Sequence, residues 1–283
     1  MRVHAIQTAR LFFKEALLRG KGSATRRFLT SLLPNQPWIE MPVFSYVVEH
    51  PDGVIVVDTG PAHEMSDPET LKRQPGGRLL LRITRGESTP EDEIGPQLQR
   101  LGIRTSDVRS VVLTHMHVDH AGALHHFPEA EILVHRPEYE FARSRRGRFP
   151  PVYMTGFWPE WLAPTVYELG DRAFGAFPRS FAVTDGADVV CVPIPGHSVG
   201  QVAVVVKDDD SYLFFGGDHH YRQEWFEDEL RSGRVIHAYL WPRAARETQE
   251  RITRFVREFP TVYLPAHDFD APRRLAERAP ISV

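Results

Sequence analysis

The chain has 283 residues, of which 42% are hydrophobic and 25% charged, as is typical of a globular protein with a sizeable core. Its formal net charge of -3 gives no general reason to expect nucleic acid or an anionic membrane as a partner. One cysteine, Cys191, excludes a disulfide within the chain, and neither a secretory signal nor a membrane-length apolar run is evident, so we expect a cytoplasmic location.

The predicted elements in the first part of the chain are mainly strands. Residues 3–8 predict a first strand, which a basic surface segment follows. The runs MPVFSYVVEH and VIVVDTG flank a Pro-Asp-Gly turn and predict a β-hairpin. Residues 61–97 are rich in loop-forming residues. EIGPQLQRLGI then predicts a short helix that ends at Gly102, and VRSVVLTH predicts a buried strand.

The middle of the chain is rich in aromatic residues. Eleven of the 43 residues in 139–181, here called the aromatic segment, are Phe, Tyr or Trp, against 11% for the whole chain. Because so many rings must be buried somewhere, we expect the segment to form a lid, one wall of an apolar pocket, or a subunit interface such as that of a homodimer. We therefore predict one domain, residues 1–283, with an aromatic-rich insertion at about 136–186.

The remaining elements alternate between strands and helices. AEILVHRPEYEFAR predicts a strand that leads into a helix, and ADVVCVPIPGHSVG and QVAVVVKDDDSYLFFGGDHHY predict three strands. RAARETQERITRFVREF is the clearest amphipathic helix, and TVYLPAHD predicts a final strand. Strand clusters interleaved with surface helices indicate an α/β fold of stacked sheets with helices outside.

The stretch THMHVDHAG places three histidines and an aspartate within six positions, directly after an apolar run. In an extended chain His115 and His117, two residues apart, project to the same side. Asp119 and His120 follow, just before the chain is predicted to turn into a helix at Ala121. Imidazole nitrogens and carboxylate oxygens are the ligands that divalent zinc, manganese, cobalt and iron accept. Two close ligand pairs in one turn are suited to two adjacent cations.

Further candidate ligands stand at the ends of other predicted strands. They are His197 in PIPGHSVGQ, Asp218 in LFFGGDHHY and His267 in YLPAHD. Glycines beside the first two allow the backbone to approach a site closely. Because strand-end residues gather at one edge of a sheet stack, we expect all three to join the histidine motif.

This series of motifs resembles the metallo-β-lactamase superfamily of hydrolases, from the Asp58-Thr59-Gly60 turn to His267. The resemblance implies an αββα sandwich of two mixed β-sheets flanked by helices, with two divalent metal ions at the sheet edge. Zinc is the first expectation, with manganese, cobalt or iron as alternatives. The ligands carried over by position are His115, His117 and His197 for one metal, Asp119, His120 and His267 for the other, and Asp218 as the bridge.

Within the superfamily, the motifs resemble the N-acyl homoserine lactonases most. His117 stands where the redox-active diiron branch usually has glutamate, and the true β-lactamases lack the bridging Asp218. Cys191 lies within a predicted strand and is expected in the core rather than as a ligand. Tyr221 stands where these lactonases carry a tyrosine that contacts the substrate carbonyl. The gap between the third and fourth histidine ligands is longer here, which leaves the acyl-chain preference open.

The resemblance implies a mechanism in which a hydroxide that bridges the metals attacks the carbonyl of a small lactone with an apolar acyl chain. Tyr221 would stabilise the oxyanion, and Asp119 would carry a proton to the leaving oxygen. Asp58 would orient a ligand histidine, or it serves only as a turn residue. The aromatic segment would supply an apolar wall for the acyl chain.

Other functions stay open on the same centre: another lactonase or esterase, a glyoxalase II-like thioesterase, or a phosphodiesterase. A non-catalytic interaction or RNA-binding protein is disfavoured by the complete ligand set and the acidic balance. His219 and His220 adjoin Asp218, and two alternatives are open for them: contact with the site, or a partly exposed loop, which is favoured. His125 and His126 are expected to have core or surface roles.

Overall fold

Two β-sheets form the centre of the structure, a computed structural model that describes residues 1–19, 22–148, 151–232 and 239–282. The first sheet contains β1 (Arg2–Lys14), β2 (Trp38–His50), β3 (Gly53–Val57), β4 (Thr84–Glu87), β5 (Val108–Val112), β6 (Glu131–His135) and β7 (Thr165–Tyr167). Their order is β4-β1-β2-β3-β5-β6-β7. The pairs β1–β2, β1–β4 and β2–β3 are antiparallel, whereas β3–β5, β5–β6 and β6–β7 are parallel.

The second sheet contains β8 (Phe181–Ala182), β9 (Val189–Pro193), β10 (Val202–Asp208), β11 (Ser211–Phe215) and β12 (Thr261–Leu264). Their order is β12-β11-β10-β9-β8. β11 and β12 are parallel, and the other neighbours are antiparallel. Both sheets are therefore mixed.

Alternating side chains give each sheet an inner and an outer face. Tyr46 and Val48 of β2 pack with Val204 of β10 in a core shared by the two sheets, whereas the intervening Val47 faces outward into a second core. Cys191 is fully buried in the shared core, and burial raises the pKa of its thiol to about 12. The prediction that Cys191 is a core residue is confirmed.

Helices cover the outer faces of both sheets. Ile94 and Leu98 pack against the first sheet, and Phe226 and Phe255 pack against the second. The layers are helix, sheet, sheet and helix, so the predicted αββα sandwich is confirmed. The helices are α1 (Glu15–Arg19), α2 (Ala24–Ser31), α3 (Pro68–Arg73), α4 (Gly77–Leu80), α5 (Ile94–Arg100), α6 (Val118–Ala121), α7 (Arg136–Arg143), α8 (Gln223–Ser232), α9 (Pro242–Glu258) and α10 (Ala271–Glu277). Within the described parts of the chain, none of the helices has the length and apolar character needed to cross a membrane.

The first strand is longer than predicted, and the basic surface segment predicted after it is wrong for residues 9–14. β1 pairs with β2 as far as Lys14 and with β4 near its end. Leu11 is buried, while Arg10 points outward and lies 2.8 Å from Glu87. Cross-strand hydrogen bonds to two neighbours therefore keep this stretch extended, and its charges lie on one face only.

The aromatic segment packs into the fold. Its last part adds β7 to the first sheet and begins β8 of the second. The ring centroids of Tyr167 and Phe181 are 4.1 Å apart, and Phe174 stacks on Phe255 of α9 at 5.8 Å. Of the rings described in this segment, only that of Trp161 is exposed, at 41%. The described part of the segment therefore presents no broad aromatic surface of the kind that the expected subunit interface would need.

Candidate metal centre

The loop after β5 directs its histidines inward because apolar residues of the same stretch face the other way. Leu113 and Met116 are buried in the outer core of the first sheet, so His115 and His117 are turned toward the second sheet. The predicted strand ends earlier than expected, at Val112, and both histidines lie beyond it. Asp119 and His120 lie within the short helix α6 rather than before it.

A first cluster consists of His115, His117 and His197. The Nδ1 atom of His117 lies 2.9 Å from Nε2 of His197, and the ring centroids of His115 and His197 are 5.0 Å apart. His197 reaches this position through Gly196, whose φ of 147° favours glycine. A Cβ atom at Gly196 would lie 2.7 Å from the Cα of Ala245, so only glycine lets this loop approach α9.

A second cluster consists of Asp119, His120, Asp218 and His267. The Oδ1 atom of Asp218 lies 3.0 Å from Nε2 of His120 and 3.1 Å from Nε2 of His267. His267 Nε2 also lies 3.6 Å from Oδ2 of Asp119. The other oxygen of Asp218 lies 3.4 Å from Nε2 of His197 in the first cluster. Asp218 therefore faces both clusters, as expected of a bridging carboxylate.

These residues fit two divalent cations. Within each cluster, one ligand atom from every residue lies within 4.8 Å of the others. The Nε2 atom of His115 is buried with no hydrogen-bond partner among the described residues, and the Oδ2 atom of Asp218 is 3.9 Å away, too far for a hydrogen bond. A buried acceptor without a partner is costly. An ion bound to Nε2 of His115 would supply the missing partner.

The charges of the clusters agree with this fit. Burial and the neighbouring His120 imidazole hold the pKa of His115 well below its usual value, so His115 is neutral, as a metal ligand must be. Burial alone would raise the pKa of Asp218, but His267 and His120 outweigh it and hold that pKa well below its usual value. His115 thus offers a neutral imidazole and Asp218 an anionic carboxylate. Burial alone would lower the pKa of His120 and His267, but the nearby carboxylates, Asp218 foremost, outweigh it and raise both pKa values, so these two imidazoles must lose a proton when they bind a metal.

Asp58 supports this centre from the turn after β3. Its Oδ2 atom lies 2.8 Å from Nδ1 of His120 and accepts a hydrogen bond from the Thr114 hydroxyl at 2.7 Å, while Oδ1 accepts the Thr114 amide at 2.8 Å. The residue has a φ of 58°, in the left-handed region. The contact with His120 is the one that Asp58 would need in order to orient this ligand histidine.

Glu138, on α7, is not among the site residues that the sequence predicts. Its buried carboxylate accepts the Met116 amide at 3.0 Å, the Gly200 amide at 3.0 Å and the Ser198 hydroxyl at 2.7 Å. Burial raises the pKa of Glu138. Glu138 therefore ties the loop of His117 to the loop of His197. Nothing in the run RPEYEFAR distinguishes this glutamate from those on the surface.

Tyr221 lies beside the first cluster. Its Oη atom is 3.4 Å from Nδ1 of His197, and its ring centroid is 5.3 Å from that of His267. Burial, together with the carboxylates of Asp218 and Asp119, raises the pKa of the Tyr221 hydroxyl well above its usual value. The hydroxyl therefore stays protonated and can donate a hydrogen bond.

A pocket of about 450 Å³ opens onto His117, Asp119, His197, Asp218 and Tyr221. Its walls are apolar and come mainly from the N-terminal part of the chain. The aromatic segment contributes only Val152 to the lining described, so the expectation that this segment forms the pocket wall is wrong. The N-terminal lining consists of Leu11 and Phe13 of β1, Leu17 and Leu18 of α1, and Phe28 and Leu29 of α2.

His219 and His220 lie in a loop, as predicted, but the expectation that this loop is partly exposed is wrong, because both residues are fully buried. The Nδ1 atom of His220 lies 2.6 Å from the Tyr263 hydroxyl, and Nε2 lies 2.5 Å from Oε1 of Gln249. His219 stacks on Tyr239 at 5.1 Å. These contacts hold the loop of Asp218 against α9 and β12.

The chain is similar in sequence to known families and proteins. The Metallo-beta-lactamase superfamily matches residues 38–254. A probable metallo-hydrolase of Mycobacterium tuberculosis is 33% identical over 201 residues, which are 68% of this chain and 61% of that protein. This chain thus covers less than two thirds of the mycobacterial protein.

Two other proteins, one similar in sequence and one in structure, match over a larger share of both their own chain and this one. An N-acyl homoserine lactonase of Bacillus cereus is 28% identical over 224 residues, 78% of this chain and 80% of that protein. The fold is also that of a solved N-acyl homoserine lactone hydrolase with the product N-hexanoyl-L-homoserine bound at its catalytic metal center. The TM-score is 0.74 at 24% identity, over 95% of this chain and 93% of that one.

Proposed function

The chain belongs to the metallo-β-lactamase superfamily of hydrolases, and on that premise we propose that it opens the ring of N-acyl homoserine lactones. The observation that carries the proposal is that Tyr221 and an apolar pocket lie on the same side of the candidate metal centre. Tyr221 would contact the carbonyl oxygen of a lactone ring, and the apolar pocket would hold the acyl chain. The name of the Bacillus relative and the acyl homoserine product in the solved hydrolase support the same substrate.

In this proposal the seven clustered residues hold two divalent ions, with zinc as the first candidate and manganese, cobalt or iron as alternatives. When bound, two cations polarise a carbonyl oxygen and lower the pKa of water toward neutrality. The ligands would be His115, His117 and His197 for one ion, Asp119, His120 and His267 for the other, and Asp218 for both.

Tyr221 and Asp119 perform the remaining chemistry. The Tyr221 hydroxyl donates a hydrogen bond to the carbonyl oxygen as negative charge develops there. Burial raises the pKa of Asp119, which suits a carboxylate that takes up a proton and releases it again. Asp119 accepts a proton from the attacking water and gives it to the ring oxygen. The new C–O bond replaces the ring ester bond, and the product is the open hydroxy acid.

The pocket then determines which lactone is bound. Its apolar walls from β1, α1 and α2 would bury the methylene groups of an acyl chain, each worth about 0.8 kcal/mol when removed from water. None of the described residues that line the pocket is lysine or arginine. A glutathione thioester or a phosphodiester brings negative charge, so this lining favours the neutral lactone over either alternative.

A substrate panel tests the proposal. We would measure kcat/KM of the metal-loaded protein on short- and long-chain acyl homoserine lactones, plain γ- and δ-lactones, a glutathione thioester and a phosphodiester. Acyl homoserine lactones are expected to lead by orders of magnitude. If the thioester or the phosphodiester has the highest kcat/KM instead, the proposed substrate is wrong, but that result does not contradict the metal centre.

A further inference from the structure

A separate group of metal-ligating side chains lies outside the candidate centre. It consists of Glu93, which precedes α5, and of His125 and His126 in the 3₁₀ helix Leu124–His126. The Nε2 atom of His126 lies 2.5 Å from Oε2 of Glu93, and Nε2 of His125 lies 3.1 Å from the same oxygen. Two imidazoles therefore converge on one carboxylate oxygen.

The carboxylate is held in place from its other side. Glu93 is only 2% exposed, and its Oε1 atom accepts the His63 amide at 2.7 Å and lies 2.7 Å from the His63 ring Nδ1. Burial alone would raise the pKa of Glu93, but the hydrogen bonds from His125, His126 and His63 hold that pKa well below its usual value. The group is thus an anion, with Oε1 engaged and Oε2 directed at the two imidazoles.

The imidazoles of His125 and His126 lie closer together than the 3₁₀ helix that carries them would favour. Consecutive side chains of a 3₁₀ helix point about 120° apart. The ring centroids of His125 and His126 are nevertheless 4.1 Å apart, on the same side. The His126 ring rests against the backbone of Gly95. A Cβ atom at position 95 would lie 2.4 Å from Nδ1 of His126. A residue without a side chain at 95 therefore makes room for this ring.

We propose that Glu93, His125 and His126 form a third divalent-metal site, separate from the two-metal centre. Two imidazoles and one carboxylate are a donor set that zinc, cobalt, manganese and iron accept. A tetrahedral zinc ion with bonds of about 2.0–2.2 Å holds its ligand atoms roughly 3.3–3.6 Å apart. To reach these values, the 3.1 Å spacing to His125 must widen by about 0.2–0.5 Å and the 2.5 Å spacing to His126 by about 0.8–1.1 Å. The His125 side chain is 44% exposed and the His126 side chain 20%, so both can move and water can complete the coordination.

An ion at this site would stabilise the corner that supports the main centre. The Gly60 carbonyl accepts the amides of Gly122 and Ala123 at 3.1 Å each, so the loop of Asp58 is already joined to the chain that leads to His125. None of the three proposed ligands belongs to the described lining of the apolar pocket. The third ion is therefore structural, and it raises thermal stability without taking part in the reaction.

The test is a titration of the metal-free protein with Zn²⁺, with bound metal measured by elemental analysis and by competition with a chelator. We expect three equivalents in the unaltered protein and two in the double variant His125→Gln/His126→Gln. His4→Gln is the matched control, because it removes an imidazole 2.7 Å from a different carboxylate, that of Glu49, and should keep three.

The single variant His125→Ala keeps the test decisive if the double variant does not fold. It is expected to weaken the third equivalent by roughly tenfold or more, to leave the first two unchanged, and to abolish the rise in Tm that the third equivalent produces. A titration of the unaltered protein that ends at two equivalents overturns the proposal, as does a third equivalent that survives in both variants. In either case the cluster is a hydrogen-bonded network only.

Discussion

Asp58 and His120 are joined by a contact of 2.8 Å between Oδ2 and Nδ1, although Asp58 directly follows β3 and His120 lies in α6, after β5. The second ring nitrogen of His120 faces Asp218 at 3.0 Å. A carboxylate on the far side of a ligand imidazole sets both its tautomer and its direction. The parallel pairing of β3 with β5 brings the two residues together.

Asp58→Asn is therefore expected to weaken metal binding by about 10- to 100-fold while the fold is kept. The amide removes the anion that orients His120, so activity should return when excess metal is supplied. Metal content after dialysis and kcat/KM against added Zn²⁺ measure both effects. Asp52→Asn is the control, because Asp52 lies in the turn before β3, away from the centre. Unchanged metal affinity in Asp58→Asn would contradict the orienting role.

Glu138→Ala is expected to weaken binding of one of the two metals more than the other, because it releases the loop of His117 from the loop of His197. It also leaves the buried Met116 and Gly200 amides without their acceptor, at a cost of about 1–3 kcal/mol each. Stepwise metal titration and urea unfolding separate the two effects. Glu140→Ala alters the same helix at an exposed position and should change neither. Equal weakening of both metals would argue for a purely structural role.

Tyr221→Phe is expected to reduce kcat/KM on lactones by about 10- to 100-fold, less than the full value of an oxyanion donor, because a metal ion shares the charge. Metal content should not change. Because the pKa of Tyr221 is raised well above its usual value, its hydroxyl stays protonated, so loss of its proton should not limit activity between about pH 7 and pH 9. Tyr212→Phe, on β11 and against Phe255, is the control. Full activity in Tyr221→Phe would remove the tyrosine from the mechanism.

Phe28→Ala is expected to lower kcat/KM for long-chain acyl homoserine lactones by about 10- to 150-fold and to affect short-chain ones little. Phe28 lines the apolar pocket, and losing a buried aromatic contact costs about 1.5–3 kcal/mol only when the chain is long enough to reach it. Leu33→Ala, at a site 55% exposed and outside the described pocket lining, should change neither rate. The same loss for every chain length would place the acyl chain elsewhere.

Much of the fold followed from local patterns. Runs of β-branched and aromatic residues marked the strands of the shared core, and the amphipathic run at Ile252, Phe255 and Val256 marked α9. Strand ends were less predictable: β5 stops at Val112, before the histidines, because the next amides, those of Thr114 and Met116, bond to the side chains of Asp58 and Glu138. The length of β1 likewise depends on partners distant in the chain.

The sequence by itself determined which residues are candidate metal ligands, because a short histidine motif and polar residues at strand ends are local features, and parallel strands bring such ends to one edge. Only the tertiary structure decided what surrounds them. Glu138 and Gly95 matter through neighbours far away in the chain, and the pocket wall comes from β1, α1 and α2 rather than from the aromatic segment. Composition shows that a ring must be buried, but long-range packing selects the surface that buries it.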